Sequence, residues 1–204
     1  MALDRIGIFG GTFDPPHVGH QILAMEASEQ LVLDKVLWVL TPDPPHKAGK
    51  NITDIEVRKL MVLAAIDADP KFTFCSVDID RPGPHYVLDT MRLLRNEYQN
   101  QELIFLMGGD SLHNLPNWYK PEEFIGVCDK LGIMRRPGEK IDLRELEISL
   151  PGIEDKIEFI DAPLLEISSN QIRQLVFEEK PFRCYLPFDV YSVIEERQLY
   201  RSLT

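Results

Sequence analysis

The sequence is poor in cysteine, with three in 204 residues, and those three are far apart. Cys75, Cys128 and Cys184 form no CxxC pair, and no Cys/His cluster has the spacing of a zinc site. An odd number of isolated cysteines argues against the disulfide framework of a small secreted domain. We therefore expect three buried free thiols, no protein-held metal and a reducing compartment, which is the cytoplasm.

The sequence also lacks an excess of basic charge and any long apolar run. Lys and Arg total 22 against 33 Asp and Glu, which gives a net charge of −11. Nucleic acids and anionic membranes need basic surface, so neither is expected as a partner. No run approaches the ~20 apolar residues that cross a bilayer, and no signal-peptide pattern is present. An anionic small molecule remains allowed, because it needs only a few cations placed locally.

Short apolar runs alternate with amphipathic stretches along the chain. Strands are predicted over 6–9, 35–40, 72–77, 103–107, 130–134 and 156–160, and helices over 18–33, 53–68, 86–97, 170–178 and 189–197. Strands that are apolar throughout are typical of a parallel sheet with helices on both faces. We expect an α/β, Rossmann-like doubly wound sheet in one domain over 1–204, with a C-terminal helical part from about residue 168.

Four loops of unusual composition follow the predicted strands. GGTFDPPHVGH follows the first strand, TPDPPHK the second, GGDSLHNLPNW the fourth and RRPG the fifth. In doubly wound sheets the ligand lies beyond the carboxyl ends of the strands, where the strand order reverses. The sequence therefore predicts a functional site at the edge where these loops meet.

The first loop has the features of a phosphate site. Gly10 and Gly11 let backbone approach a ligand, and their N–H groups with that of Thr12 precede a helix N-terminus that favours an anion. His17 and His20 are three apart and share one face of that helix. The alternative is a glycine turn with two histidines that are solvated or cap the helix. The loop is neither a GxxxxGK[ST] nor a GxGxxG motif.

A second candidate phosphate site is EISSNQIR, which opens a later helix. Ser168 or Ser169 could simply cap that helix, and taken alone this interpretation is favoured. With Arg173 one turn inside, the same residues can hold phosphate oxygens. Lys47, after two prolines, is either a rigidly held cation or a solvated loop residue.

Further candidates concern the rest of a nucleotide. Gly108 could let a nucleoside lie against backbone, and Asp110 could accept bonds from ribose hydroxyls or form an ordinary turn. Trp118 and Tyr119 could stack on an aromatic ring or plug the edge of the core. No arrangement suggests a covalent nucleophile, so the pattern favours direct phosphoryl or nucleotidyl transfer by positioning and charge stabilisation.

GTFDPPHVGH together with ISSNQIR resembles the nucleotidyltransferases that carry HxGH and ISSTxIR signatures. PPHK at 44–47, RPGPHYVLDT at 81–90, LMGGDSLHNLPNW at 106–118, RRPG at 135–138 and YLPFDVYSVI near the end resemble the bacterial nicotinate-nucleotide adenylyltransferases. The resemblance runs from Ile6 to about Tyr200. It implies that ATP and nicotinate mononucleotide form nicotinate adenine dinucleotide and pyrophosphate, with Mg²⁺ and without a covalent enzyme intermediate.

The resemblance also implies roles for residues. His17, His20, Thr12 and Lys47 would hold phosphates, with Gly10 and Gly11 beside them. Ser168, Ser169 and Arg173 would bind the departing β/γ-phosphates, and Gly108 and Asp110 the ATP ribose. Trp118 would stack on the pyridine ring, and backbone N–H groups around Val87 and Tyr119 would bind its carboxylate.

Three positions depart from the family pattern. The usual Ser-Tyr-Thr reads His85-Tyr86-Val87, which removes a hydroxyl expected near the pyridine carboxylate. Gly109 replaces an alanine, and Asn170 replaces the threonine of ISSTxIR. Open alternatives are transfer to nicotinamide mononucleotide or phosphopantetheine, cytidylyl transfer, and a non-catalytic nucleotide sensor. His85 and His113 receive no role, and the sequence leaves open whether the chain forms a homo-oligomer.

Overall fold

The computed structural model describes residues 4–43, 52–135 and 141–202. Six parallel strands form one sheet in the order β3-β2-β1-β4-β5-β6. The strands are β1 Arg5–Gly11, β2 Lys35–Leu40, β3 Phe72–Cys75, β4 Glu102–Gly108, β5 Lys130–Arg135 and β6 Ile157–Asp161. The predicted doubly wound α/β fold is confirmed, and the strand order reverses between β1 and β4.

Eight α-helices connect or follow the strands of the described chain. They are α1 Val18–Gln30, α2 Ile55–Ile66, α3 Val87–Glu97, α4 Gly109–Asn114, α5 Pro121–Val127, α6 Arg144–Ser149, α7 Ser169–Phe177 and α8 Phe188–Glu196. Short α4, α5 and α6 carry little helical periodicity, and the sequence pattern did not separate them from loop. None of the described helices is both long and apolar enough to cross a membrane.

Each face of the sheet has its own apolar core. One cluster contains Trp38, which has no exposed surface, together with residues of α1, α2, α7 and α8. The other contains Phe124 and residues of α3, α5 and α6. Central strands therefore bury side chains on both faces, which explains why β2 and β4 are apolar almost without interruption.

Two local predictions are wrong. The helix expected from Thr53 begins at Ile55, because Asp54 caps it by accepting from the Glu56 N–H at 2.9 Å. Of the three cysteines expected to be buried, only Cys128 is buried, Cys75 is half-buried and Cys184 is exposed. Cys184 lies in a short 3-10 turn on the surface, where neighbouring apolar residues mask its exposure in the sequence.

Candidate active site

A cleft with two lobes opens where the strand order reverses, at the carboxyl ends of β1 and β4. Gly10, Phe105, Asp110, Ser111 and Trp118 line both lobes. Gly10 is the second-last residue of strand β1, and Asp110 is the second residue of α4, which follows β4 directly. The predicted convergence of the loops after the first and fourth strands is therefore present in the structure.

The first lobe has a volume of about 620 Å³ and extends toward β2 and α3. Its wall includes the predicted residues Gly11, Thr12, Val87, Trp118 and Tyr119. Most of the exposed wall area is apolar, and polar side chains such as Asp78, Thr90 and Asn114 lie among the apolar ones. Apolar walls with polar groups that can orient a ligand are usual for a small-molecule site.

The second lobe has a volume of about 460 Å³ and extends toward β5 and β6. Gly108 and His20 lie on its wall, together with Arg135 and the segment from Ala162 to Leu165. Arg135 is the first residue of RRPG, and its guanidinium lies 2.6 Å from Asp161 and over the ring of Phe159. The two lobes thus lie on opposite sides of the reversal point.

Two of the predicted glycines leave open space at the cleft. A Cβ atom added to Gly10 or to Gly108 would meet no atom within 4 Å. At Gly11 the same atom would meet the ring of Phe13 at 2.8 Å. Gly10 and Gly108 therefore keep room for a ligand, whereas Gly11 is required by packing.

His17 and His20 are in contact with each other. Their rings stack with centroids 3.7 Å apart, and the backbone N–H of His17 donates to His20 Nδ1 at 3.2 Å. That bond places the proton of a neutral His20 ring on Nε2, which makes the ring a hydrogen-bond donor on its far side. His20 lines the second lobe.

His17 is buried and neutral. Its side chain is 5% exposed, and its Nδ1 finds no partner among the described residues. Burial lowers the pKa of His17 to about 4, because water no longer stabilises the charged ring. The two imidazoles that were predicted to share one helix face are therefore unequal, because His17 is buried and neutral and stacks on His20 at the cleft.

The ISSNQIR segment packs against the first loop but lines neither lobe. Ser168 caps α7 by accepting from the Gln171 N–H at 3.1 Å, as the capping interpretation predicts. Ser169 donates its hydroxyl to the Pro15 carbonyl at 2.8 Å, and Arg173 donates to the Asp14 carbonyl at 2.7 Å. The two signatures are thus joined by direct bonds between residues more than 150 positions apart.

Aromatic rings form the outer wall of the first lobe. Trp118 meets Phe105 edge-on with centroids 6.2 Å apart, and Tyr119 stacks on Tyr86 at 4.2 Å. Val87 is the first residue of α3, so the free N–H groups of that helix start lie at the lobe. Lys47 and the rest of PPHK lie outside the described residues, as do positions 136–138 of RRPG.

A polar network that the sequence pattern did not reveal forms part of the wall of the first lobe. Asp78 is 2% exposed, accepts from the Thr90 hydroxyl at 2.7 Å and pairs with Arg81 at 2.9 Å. Arg81 also donates to the carbonyls of Pro84 and Tyr86. The network therefore fixes the loop that leads into α3. In the sequence, this network consists of charged and hydroxyl residues within DIDRPGPHYVLDT. Part of that stretch resembles the family, but the local spacing does not predict which of these side chains are in contact.

His85 and His113 received no role from the sequence. His85 is buried on the wall of the first lobe, with Nε2 3.3 Å from the Arg81 carbonyl. His113 is exposed, with Nδ1 2.8 Å from the Gly109 carbonyl. Within the described ranges, no group of three or more His, Cys, Asp or Glu side chains is arranged to hold a metal ion.

Comparisons with known proteins agree with this geometry. Residues 8–175 match the family model described as cytidylyltransferase-like. A protein named as a probable nicotinate-nucleotide adenylyltransferase, from Thermomicrobium roseum, is 42% identical over 98% of this chain and 94% of its own length. The nicotinate-nucleotide adenylyltransferase of Bacillus subtilis is 38% identical over 98% of this chain and 100% of its own.

Solved structures share the fold. Nicotinic acid mononucleotide adenylyltransferase from Plasmodium falciparum, complexed with NaAD, superposes with a TM-score of 0.78 at 20% identity and covers 97% of each chain. The same protein complexed with APC gives a TM-score of 0.75 at 20% identity. The order of elements described above is therefore that of a known architecture.

Proposed function

We propose the function of this chain from the premise that it belongs to the cytidylyltransferase-like family and, within it, to the nicotinate-nucleotide adenylyltransferases. The chain transfers the adenylyl group of ATP to the phosphate of nicotinate mononucleotide and releases pyrophosphate. The product is nicotinate adenine dinucleotide, an intermediate of NAD biosynthesis. The observation that supports this reaction best is a cleft whose two lobes meet at Gly10 and Asp110.

ATP fits the second lobe. Gly108 leaves room for a nucleoside against backbone, and Asp110 can accept bonds from the ribose hydroxyls. Nε2–H of His20 can donate to a phosphate oxygen at the wall of this lobe. Arg173 can bind the departing phosphates in addition to Asp14, since a guanidinium carries five N–H donors. Ser168, Ser169 and Lys47 complete the proposed set, although Ser168 also caps its helix.

The mononucleotide fits the first lobe. Trp118 offers an aromatic face to the pyridine ring, and the N–H groups near Val87 and Tyr119 can hold its carboxylate. The side chain of Val87 offers no hydroxyl to that carboxylate. Backbone N–H groups at the start of α3 therefore carry the preference for nicotinate.

The reaction follows from the placement of the lobes. With ATP in one lobe and the mononucleotide in the other, the acceptor phosphate meets the α-phosphorus near Gly10. Attack in line with the leaving pyrophosphate then needs no covalent enzyme intermediate. Gly10, Gly11, Thr12 and His20 stabilise the charge that develops on the phosphate oxygens, and the stacked His17 holds His20 in place.

Mg²⁺ is proposed to arrive with ATP and to be held mainly by its phosphates. Magnesium binds proteins through one or two carboxylates plus substrate phosphates, and it keeps several waters. When bound, Mg²⁺ would neutralise part of the negative charge on the phosphates of ATP. We also propose that the reaction takes place in the cytoplasm, where the exposed thiol of Cys184 stays reduced.

A pyrophosphate-release assay tests this function. The purified chain, with ATP and Mg²⁺, is given nicotinate mononucleotide, nicotinamide mononucleotide or phosphopantetheine in parallel. We expect turnover with nicotinate mononucleotide and a lower kcat/KM with the other two. Faster turnover of phosphopantetheine would contradict the assigned acceptor, and no turnover with any acceptor would indicate a nucleotide sensor.

A further inference from the structure

A buried arginine lies behind the wall of the first lobe. Arg58, on α2, is 3% exposed and donates four hydrogen bonds to backbone carbonyls. The distances are 2.7 Å to Thr53, 3.1 Å to Thr12, 2.9 Å to Thr41 and 2.9 Å to Pro42. One side chain therefore joins the loops after β1 and β2 to the start of α2.

Two of these carbonyls belong to residues of the cleft. Thr12 and Thr41 both line the first lobe, and their oxygens are bonded to the guanidinium. A carbonyl oxygen that faced the lobe would repel the phosphate of a nucleotide, because it carries partial negative charge. In a chain of net charge −11, bonding these oxygens to a cation keeps the wall suitable for an anion.

Asp14 and Tyr200 hold the same loop from the other side. Asp14 is 5% exposed, and its two carboxylate oxygens accept from the Tyr200 hydroxyl at 2.6 Å and the Thr53 N–H at 3.2 Å. Burial, and then the Asp14 carboxylate, raise the pKa of Tyr200, which keeps its hydroxyl a donor. Phe13, between Thr12 and Asp14, has a φ of +46°, so the loop needs these outside contacts to stay in its conformation.

A requirement for stability does not by itself explain a buried charge at Arg58. Burial lowers the pKa of Arg58 because the guanidinium loses its hydration. The other buried residues of α2 are Met61, Val62, Ala65 and Ile66, all apolar. An apolar side chain would pack on that face without the desolvation cost of a charge. The charged residue lies at the end of α2 that faces the cleft, which points to a role in shaping the site.

We propose that Arg58, with the Asp14–Tyr200 pair, is a positioning residue for the adenylyl-transfer reaction. It touches no substrate but holds the Thr12 and Thr41 backbone in the geometry that binds the mononucleotide phosphate. The inference rests on the proposed function, because it assigns the first lobe to the mononucleotide.

Arg58→Lys tests the role, and Arg95→Lys is the matched control. Lysine keeps the charge but cannot reach four carbonyls arranged around a planar fork. Arg95 is a partly buried arginine that donates to two carbonyls, of Tyr98 and Gln101, and pairs with Asp129, but it lies near the amino ends of the strands, away from the cleft. Steady-state kinetics with nicotinate mononucleotide are measured well below the Tm of each variant. KM is the deciding quantity, because a smaller fraction of folded protein lowers the measured rate but does not change KM.

We expect Arg58→Lys to raise KM for the mononucleotide about 10-fold or more and to lower kcat, since small displacements of a binding loop are costly. Arg95→Lys should lower Tm and leave KM within about 2-fold of the wild type. Unchanged KM and kcat per folded molecule in Arg58→Lys would show a purely structural arginine and overturn the inference. Wild-type protein without turnover would instead overturn the proposed function, and the inference with it.

Tyr200→Phe decides the question if Arg58→Lys does not fold. This change removes one hydrogen bond to Asp14 and keeps the ring packing. A KM raised about 3-fold or more, with wild-type circular dichroism, supports the inference, since the loop has lost one of its outside contacts. A wild-type KM overturns it.

Discussion

At the scale of single residues, burial rather than residue type decides what the two histidines of the first loop can do. His17 is 5% exposed, and burial lowers its pKa to about 4, so it is neutral at pH 7. His20 stacks on it, accepts from its backbone N–H through Nδ1 and lines the second lobe of the cleft. The sequence spacing predicted that both rings lie on one face of the helix, but not that they stack or that His17 is the buried one, because burial depends on tertiary packing that local spacing does not encode.

The low pKa of His17 predicts a pH-dependent stability. The unfolded chain takes up a proton on this ring below about pH 6.5, whereas the folded chain resists until about pH 4. The unfolded state therefore binds more protons in this window, and the free energy of unfolding falls as the pH falls through it. Between pH 7.5 and pH 5, protonation of His17 in the unfolded chain should lower the free energy of unfolding by about 2 kcal/mol. Urea unfolding at both pH values measures this change.

His17→Gln isolates this contribution, because the other titrating groups stay in place. Between the two pH values, the free energy of unfolding of the variant should fall by about 2 kcal/mol less than that of the wild type. His113→Gln, which removes an exposed histidine, should follow the wild type. Parallel curves for all three proteins would show that His17 is not held neutral by burial.

At the scale of secondary-structure elements, the six strands and the five longer helices start within two residues of their predicted positions, whereas the short helices α4, α5 and α6 were missed. β2 was predicted with its observed bounds, because its buried apolar run is flanked by the polar residues Asp34 and Thr41. α2 begins at Ile55 because Asp54, rather than the adjacent Thr53, caps the helix, and both residue types can act as N-caps. α7 begins where the Ser168 cap was expected, and its contacts with Asp14 and Pro15 could not be read from local spacing.

Strand β1 changes along its length from close packing at Gly7 to open space beside the cleft at Gly10. A Cβ atom on Gly7 would lie 2.6 Å from Leu33 Cδ1, whereas one on Gly10 would meet nothing within 4 Å. Gly10→Val should therefore leave the free energy of unfolding within about 0.5 kcal/mol of the wild type. It should raise KM for both substrates by about 10-fold or more, because Gly10 lines both lobes. Urea unfolding and steady-state kinetics measure the two effects.

Gly7→Val is the control on the same strand. The added methyl groups must displace Leu33 and Leu106, which costs about 1–3 kcal/mol, and the KM values should stay near those of the wild type. A stable Gly10→Val enzyme with normal KM values would mean that the substrates do not bind next to this part of the strand.

At the scale of the whole molecule, the reversal of strand order between β1 and β4 places the cleft. The alternation of strands and helices predicted the parallel sheet, and the strand-end rule predicted the edge at which the loops meet. Which loop forms which lobe could not be predicted, because that depends on the sheet order. The network of Arg58, Asp14 and Tyr200 was also missed, since it joins residues up to 186 positions apart and has no local pattern.

We propose that one cleft holds both substrates, with ATP in the second lobe and the mononucleotide in the first. A crystal structure of the chain with nicotinate adenine dinucleotide would show where each half binds. We expect adenine beside Gly108, the pyridine ring against Trp118, and the diphosphate between Gly10 and Asp110, where the lobes meet. A dinucleotide bound outside this cleft, or with both rings in one lobe, would contradict it.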